Sequence, residues 1–203
     1  MERKIIIPET IEDITLGQYQ KYIELCKKEL DPYTFNCRKI ALFTGLLISE
    51  IDNIKQVDLE FILTQIDLAL NSDGEFKQTF TLNGVEFGMI PNFDKMQSKE
   101  FFDLSMYGTE PEDLHKIMSI IYRPIKKKQG NTYSINNYNG TDQFSNEMKL
   151  MPLSHVNGSL AFFLTLQNDL YLHFLKFTEA EQAKETERQT TLKNGDGMQL
   201  STN

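Results

Sequence analysis

With 203 residues, 40% of them hydrophobic and 25% charged, the chain has ordinary globular composition and is long enough for one domain or a closely joined pair. Its 14 Phe and 8 Tyr can fill a core, and it contains no Trp. A formal net charge of -8 repels phosphate backbones, which disfavours general nucleic-acid binding unless a basic patch is segregated.

The two cysteines, Cys26 and Cys37, form no C-x-x-C pair, so neither a disulfide framework nor a metal site is expected. Both fall in helical segments and are expected as small buried thiols. The apolar run Ile5-Ile6-Ile7 before Pro8 is too short for a signal-peptide core. The most hydrophobic stretch, Leu160 to Leu172, is broken by Gln167, Asn168 and Asp169 and does not suit a bilayer span. Sequons at Asn139 and Asn157 carry no meaning without secretion.

Helices are expected up to about Asn71. Ile11, Ile14 and Leu16 lead into Tyr19, Tyr22, Ile23 and Cys26, a spacing of three and four. Asp31-Pro32 reads as a helix start, with Asp as cap and Pro in the first turn. Ile40, Leu42, Phe43, Leu46 and Leu47 are core-like, and Gly45 among them either weakens the helix or admits a close backbone. Ser49 is expected to cap a short helical turn through Ile54. Asp58 is expected to cap the next helix, with Leu59, Ile62, Leu63, Ile66 and Leu70 along one face.

Phe76 to Leu82 alternates apolar and polar, Asn83-Gly84 follows, and Val85 to Ile90 forms a second run ended by Pro91. Asn-Gly between such runs predicts a type I′ β-hairpin over residues 76–90, because both central residues need positive φ. A lone hairpin is marginal, so it must pack on helices or pair with another strand or chain.

Helix then returns. Ser98 is expected to cap a turn carrying Phe101, Phe102, Leu104 and Met106. Thr109-Glu110-Pro111-Glu112 has capping-box spacing, and Leu114, Ile117, Met118 and Ile121 give the next apolar face, stopped by Pro124. Lys126 to Asn146 reads as a long exposed loop, in which Tyr133-Ser134-Ile135 can add a short strand. From Met151-Pro152, the apolar positions Leu153, Val156, Leu160, Phe163, Leu164, Leu170, Tyr171 and Phe174 suit a long helix. Residues 178–203 are polar and expected to be a solvated or disordered tail. The fold class is therefore mainly α with an inserted β-hairpin (α+β), in one domain over residues 1–177 with a flexible C-terminal tail.

No catalytic constellation emerges. His115, His155 and His173 share no metal-ligand spacing, the carboxylates suit solvated helix faces, and Walker, dinucleotide and nucleophile-elbow motifs are absent. No catalytic residue, metal or cofactor is expected, and the chain is expected not to be an enzyme. The candidate partner-binding residues are Phe80, Leu82, Asn83, Gly84 and Val85 on the hairpin. Further along the chain they are Arg123, Lys126, Lys127 and Lys128 in one basic cluster, and Tyr133 and Tyr138 among asparagines. The basic cluster can meet an acidic partner surface or DNA phosphates, or can simply solubilise the chain.

Several blocks resemble proteins of tailed-phage structural and assembly modules. Ile14-Thr15-Leu16-Gly17-Gln18-Tyr19-Gln20-Lys21-Tyr22 is similar to the start of many such chains. Leu42-Phe43-Thr44-Gly45-Leu46-Leu47-Ile48-Ser49-Glu50-Ile51-Asp52 is similar to the L-T-G-x-x-x-x-E-I-D form of tail assembly chaperones. Phe87 to Pro91, Ile121 to Ile125 and Gly158 to Phe163 resemble blocks of virion proteins from phages of Bacteroidetes. The resemblance implies a non-enzymatic morphogenesis protein at the neck, portal vertex or tail, with other phage structural proteins as partners and copies of itself in a ring. From the charge balance and the broken apolar stretch, neither a membrane nor a nucleic-acid partner is expected. The alternative the resemblance implies is a tail assembly chaperone absent from the finished particle; a small enzyme of unknown class is a further alternative, which no motif supports. Either phage protein would reside in the virion or, during assembly, in the host cytoplasm.

Overall fold

A computed structural model describes residues 5–92, 95–107, 110–130 and 132–162. Contacts divide the chain into two units, Met1–Ser159 and Leu160–Asn203, and the account below concerns the first. The expected helix beyond residue 162, His173, the domain end at 177 and the tail after it lie outside the described residues.

The fold is α+β: helices surround one antiparallel sheet of order β1-β2-β3-β4. A 3-10 turn (Ile11–Asp13) leads into α1 (Leu16–Cys26). Thr15 caps α1 by accepting from Gln18 N at 3.2 Å, and Gln18 Oε1 accepts from Thr15 N at 2.9 Å. The next free N–H groups of this turn go elsewhere: Leu16 and Gly17 donate to the carbonyls of Met151 and Lys149 at 2.9 and 2.7 Å. The start of the chain is thereby tied to the segment preceding its last described helix.

Asp31 and Pro32 start α2 (Pro32–Thr44) as expected, with the Asp31 carboxylate accepting from Thr34 N at 3.0 Å. Gly45 ends α2 rather than lying inside it, since its φ of 72° is the left-handed cap conformation. Helix α3 (Ile48–Ile51) is capped at Leu47, not at Ser49. The Glu50 carboxylate accepts from the Leu47 N–H at 2.7 Å, and Ser49 lies inside the helix as its second residue. Helix α4 (Gln56–Leu70) starts after Lys55, so Asp58 sits in its first turn instead of at the cap, where its charge still suits the helix N-terminus. Cys37 is buried in α2, but Cys26, at the end of α1, is exposed.

The hairpin forms with β1 (Thr79–Leu82) and β2 (Val85–Met89) joined by Asn83 (φ 49°) and Gly84 (φ 78°), the type I′ geometry. Strand pairing starts at Thr79 rather than at Phe76. Helix α5 (Ser98–Tyr107) follows, with Ser98 as its first residue rather than its cap. The Glu100 carboxylate reaches back to Gln97 N at 2.8 Å. A 3-10 turn (Pro111–Asp113) then opens α6 (Leu114–Ile121), the most buried helix among those described.

The expected loop after α6 is largely a β-ribbon. Chain direction changes at Ile121, and β3 (Tyr122–Gln129) runs straight through Pro124. Its first three residues pair with Met89, Gly88 and Phe87 of β2. Its second half pairs with β4 (Thr132–Ile135) after a bulge between Ile125 and Lys127. Helix α7 (Ser145–Met148) and residues 153–159 of α8, a helix that begins at residue 153 and is described through 162, complete the unit.

Alternate side chains of a strand point to opposite faces, and the register assigns each face. Phe80, Phe87, Met89, Tyr122 and Pro124 share one face. Tyr122, fully buried, donates its hydroxyl to the Lys77 carbonyl at 2.6 Å and shares a 2.7 Å bond with Ser159 of α8. Phe80 lies edge-on to both Tyr122 and His155, at 5.1 and 5.7 Å between ring centroids. Burial pushes the Tyr122 phenol up to about 12. The chain before β1 crosses α8 so closely that a Cβ on Gly158 would lie 2.5 Å from the Phe76 nitrogen.

The other face carries Gly88 and Arg123. The ribbon folds back over Gly88, where a Cβ would meet the Tyr133 ring at 2.5 Å, and Tyr133 donates to the Met89 carbonyl at 2.8 Å. Arg123 is buried and pairs with the buried Glu100 of α5, while its Nε has no hydrogen-bond partner among the described residues. Leaving one member of such a pair without the other strands a charge in a dry site. Arg123→Met should therefore lose roughly 3–5 kcal/mol of stability in urea unfolding. Glu100→Leu/Arg123→Met together should recover the larger part of it. A single variant within about 1 kcal/mol of the parent would contradict a dry, coupled pair.

Candidate protein-interaction surface

The residues singled out from the sequence do not converge on one site. Phe80, Arg123 and Tyr138 are buried and serve the interior. Tyr138 donates to Asp103 at 2.6 Å, and its ring lies 5.8 Å from the Arg123 guanidinium, so it helps to anchor α5. Burial, and then the bond to Asp103, raise its phenol above the ordinary range. Leu82 and Tyr133 are half-buried. Asn83, Gly84 and Val85 form the exposed hairpin tip.

Lys126, Lys127 and Lys128 are exposed on the ribbon. Cross-strand pairing puts Lys128 beside Tyr133, on the side facing β2, where it meets Glu86. Lys127, opposite Ser134, takes the other side. The basic cluster is thus divided: Arg123 is neutralised inside, Lys128 is paired at the surface, and Lys126 and Lys127 extend into solvent. The sheet edges are β1 and β4, so among the described residues the hairpin's outer strand keeps one unpaired side.

A different surface was not anticipated. Helix α4 buries Leu59, Ile62, Ile66 and Ala69, one helical face. At 100° per residue, Val57, Phe61 and Leu68 fall within about 60° of one another, on nearly the opposite side. They are 68%, 59% and 59% exposed. Helix α5 is reversed outright. Its inward side carries Glu100, Asp103, Leu104 and Tyr107, and three of these make polar contacts, to Arg123, Tyr138 and Thr141. Its outward side carries Phe101, Phe102 and Met106, at 65%, 63% and 69% exposed. Scattered exposed apolar residues are ordinary, but aligned large ones mark surfaces that something covers.

A signal for α4 was present in the sequence. Nine apolar residues among the fifteen of α4 exceed what a single inward stripe can hold. For α5, the pattern alone places its four apolar residues inside, because no local rule says that Glu100 will find Arg123 across the fold.

Each of the two described histidines bonds to a side chain beside it. His155 Nδ1 lies 3.0 Å from its neighbour Ser154 Oγ, and both residues are buried. His115 Nδ1 lies 2.9 Å from Gln20 Nε2, whose amide also donates to the Pro111 and Glu112 carbonyls at 2.8 and 2.9 Å. Among the described residues no carboxylate is bonded to either imidazole, and no three metal-ligating side chains gather. No helix among them is long and apolar enough to cross a membrane. No family model matches the chain, nor does any curated protein or solved structure.

Burial, aided by nearby lysines, lowers the pKa of both His115 and His155 below the ordinary 6.5. An imidazole whose folded pKa is depressed takes up its proton more readily in the unfolded chain. Its contribution is complete above about 6.5 and fades as pH falls toward the folded value. The melting temperature should therefore drop between pH 7.5 and 5.5, before carboxylates begin to titrate. His155→Phe, which keeps a ring against Phe80, should flatten that drop. An unchanged slope in the variant would remove His155 from the acid response.

Proposed function

We propose that this chain is a non-enzymatic phage morphogenesis protein, a virion component of the neck, portal vertex or tail that works through protein–protein contacts. The observation that carries the reading is that both α5 and α4 turn large apolar side chains outward. Folding alone gains nothing from exposing Phe61, Phe101, Phe102 and Met106, whereas an assembled neighbour gains their burial. The sequence blocks around Gly45, Ile90 and Pro124 support the phage assignment by resemblance. The exposed, uncharged hairpin tip at Asn83-Gly84-Val85 offers a further contact, and Lys126 and Lys127 offer one at the opposite sign of charge from the chain as a whole.

The same exposed helix faces favour a second reading, a tail assembly chaperone that shields an apolar client and leaves before the particle is finished. The two separate by where the chain ends up. Peptide mass spectrometry of purified particles of the encoding phage, scaled to the capsid protein, should find this chain at a fixed stoichiometry. Absence from particles, with clear expression in infected cells, would overturn the virion reading and favour the chaperone.

A further inference from the structure

The solvent side of α4 carries a pattern of charge as well as of apolar groups. All three ionisable side chains of the helix are acidic, Asp58, Glu60 and Asp67, and it holds no Lys or Arg. Asp67 is engaged by Lys39 of α2. Glu60 accepts only the Gln56 amide, at 2.8 Å, in the bonds seen for it here and keeps its charge facing solvent. On the helical projection Asp58 lies to one side of the Val57–Phe61–Leu68 stripe and Glu60 to the other. Apolar seam and charged flanks are the two components by which one helix selects another.

We propose that this face of α4 binds a basic amphipathic helix of a partner protein. The inference rests on the interaction-protein reading above and specifies the partner's chemistry. The partner helix would lay apolar side chains at three- and four-residue spacing along Val57, Phe61 and Leu68. Lys or Arg at its flanks would meet Asp58 and Glu60. Burial supplies the attraction, and the flanking charges fix partner and register. A second copy of α4 is a poor occupant, because pairing the helix with itself sets acidic flanks against acidic flanks in a chain of net charge -8. An anionic lipid surface is disfavoured for the same reason.

The test uses the full-length chain and three fluorescein-labelled peptides of about 18 residues, long enough to span α4. One has Leu at the seam positions and Lys at the flanks. The second keeps the Leu seam with Glu at the flanks, and the third scrambles the first. In fluorescence anisotropy the Lys-flanked peptide should bind at least about tenfold more tightly than either control. Phe61→Ser should weaken it by about tenfold, and Asp58→Lys/Glu60→Lys should transfer the preference to the Glu-flanked peptide. Glu24→Gln, on α1 and outside both apolar faces, should leave binding unchanged. All these side chains are exposed, so thermal melts of the variants should overlay the parent. Equal binding of the ordered and scrambled peptides, or no response to Phe61→Ser, overturns the proposal. So does self-association in sedimentation that depends on Phe61 and resists the peptide. If binding fails while the chain is present in particles, the morphogenesis reading stands alone. If the chain is absent from particles while the charge swap works, the α4 assignment stands without it.

Discussion

Two consecutive residues at the start of β3 hold the unit together. Tyr122 and Arg123 leave the strand on opposite faces, as adjacent strand residues must. Tyr122 joins the hairpin approach, through the Lys77 carbonyl, to α8, through Ser159. Arg123 joins the sheet to α5, through Glu100. Because α6 ends one residue earlier, the most buried helix feeds directly into both contacts. The interior is thus organised by a fixed polar junction inside an apolar surround. Such junctions specify arrangement more than they add net stability, since both charges lose their water.

That junction also explains the unusual surface. Once Glu100 and Asp103 are drawn inward to Arg123 and Tyr138, the periodicity of α5 forces Phe101, Phe102 and Met106 outward. The exposed apolar face is therefore a consequence of a built interior and not of a loosely placed helix. On α4 the cause differs: the helix has more apolar residues than one side can bury, and Lys39 draws Asp67 toward α2. Two helices reach a similar outward character by separate routes, and this supports a role in which both faces are covered by neighbours.

Local chemistry made part of the fold legible in the sequence. Asn83-Gly84 between alternating runs, and Asp31-Pro32 before an apolar run, each specify one backbone geometry, and both form as expected. Ser49 and Asp58 mislead because several residues of one turn can cap it, and the backbone settles the choice with Glu50 and Lys55. The Lys126–Lys128 run hides a strand. Its three lysines are exposed, so no apolar alternation marks it, and a bulge between Ile125 and Lys127 breaks the period. Pro124 reads as a stop, yet its carbonyl accepts from Asn136 N at 2.9 Å, and its nitrogen carries no N–H that would need an acceptor. Among the candidate contact residues, Arg123 and Tyr138 were found by type but not by role. Their burial depends on partners 23 and 35 positions away, beyond any local pattern.

The central claim is that the outward faces of α4 and α5 are covered in the assembled state. Site-specific photo-crosslinking in infected cells tests it most directly, with a benzophenone side chain placed at position 61 or 102 and, as a control, at the exposed Glu24 of α1. The account predicts one discrete adduct with a phage structural protein from each helix position and none from the control. Free chain at both positions, under conditions where particles form normally, would contradict it.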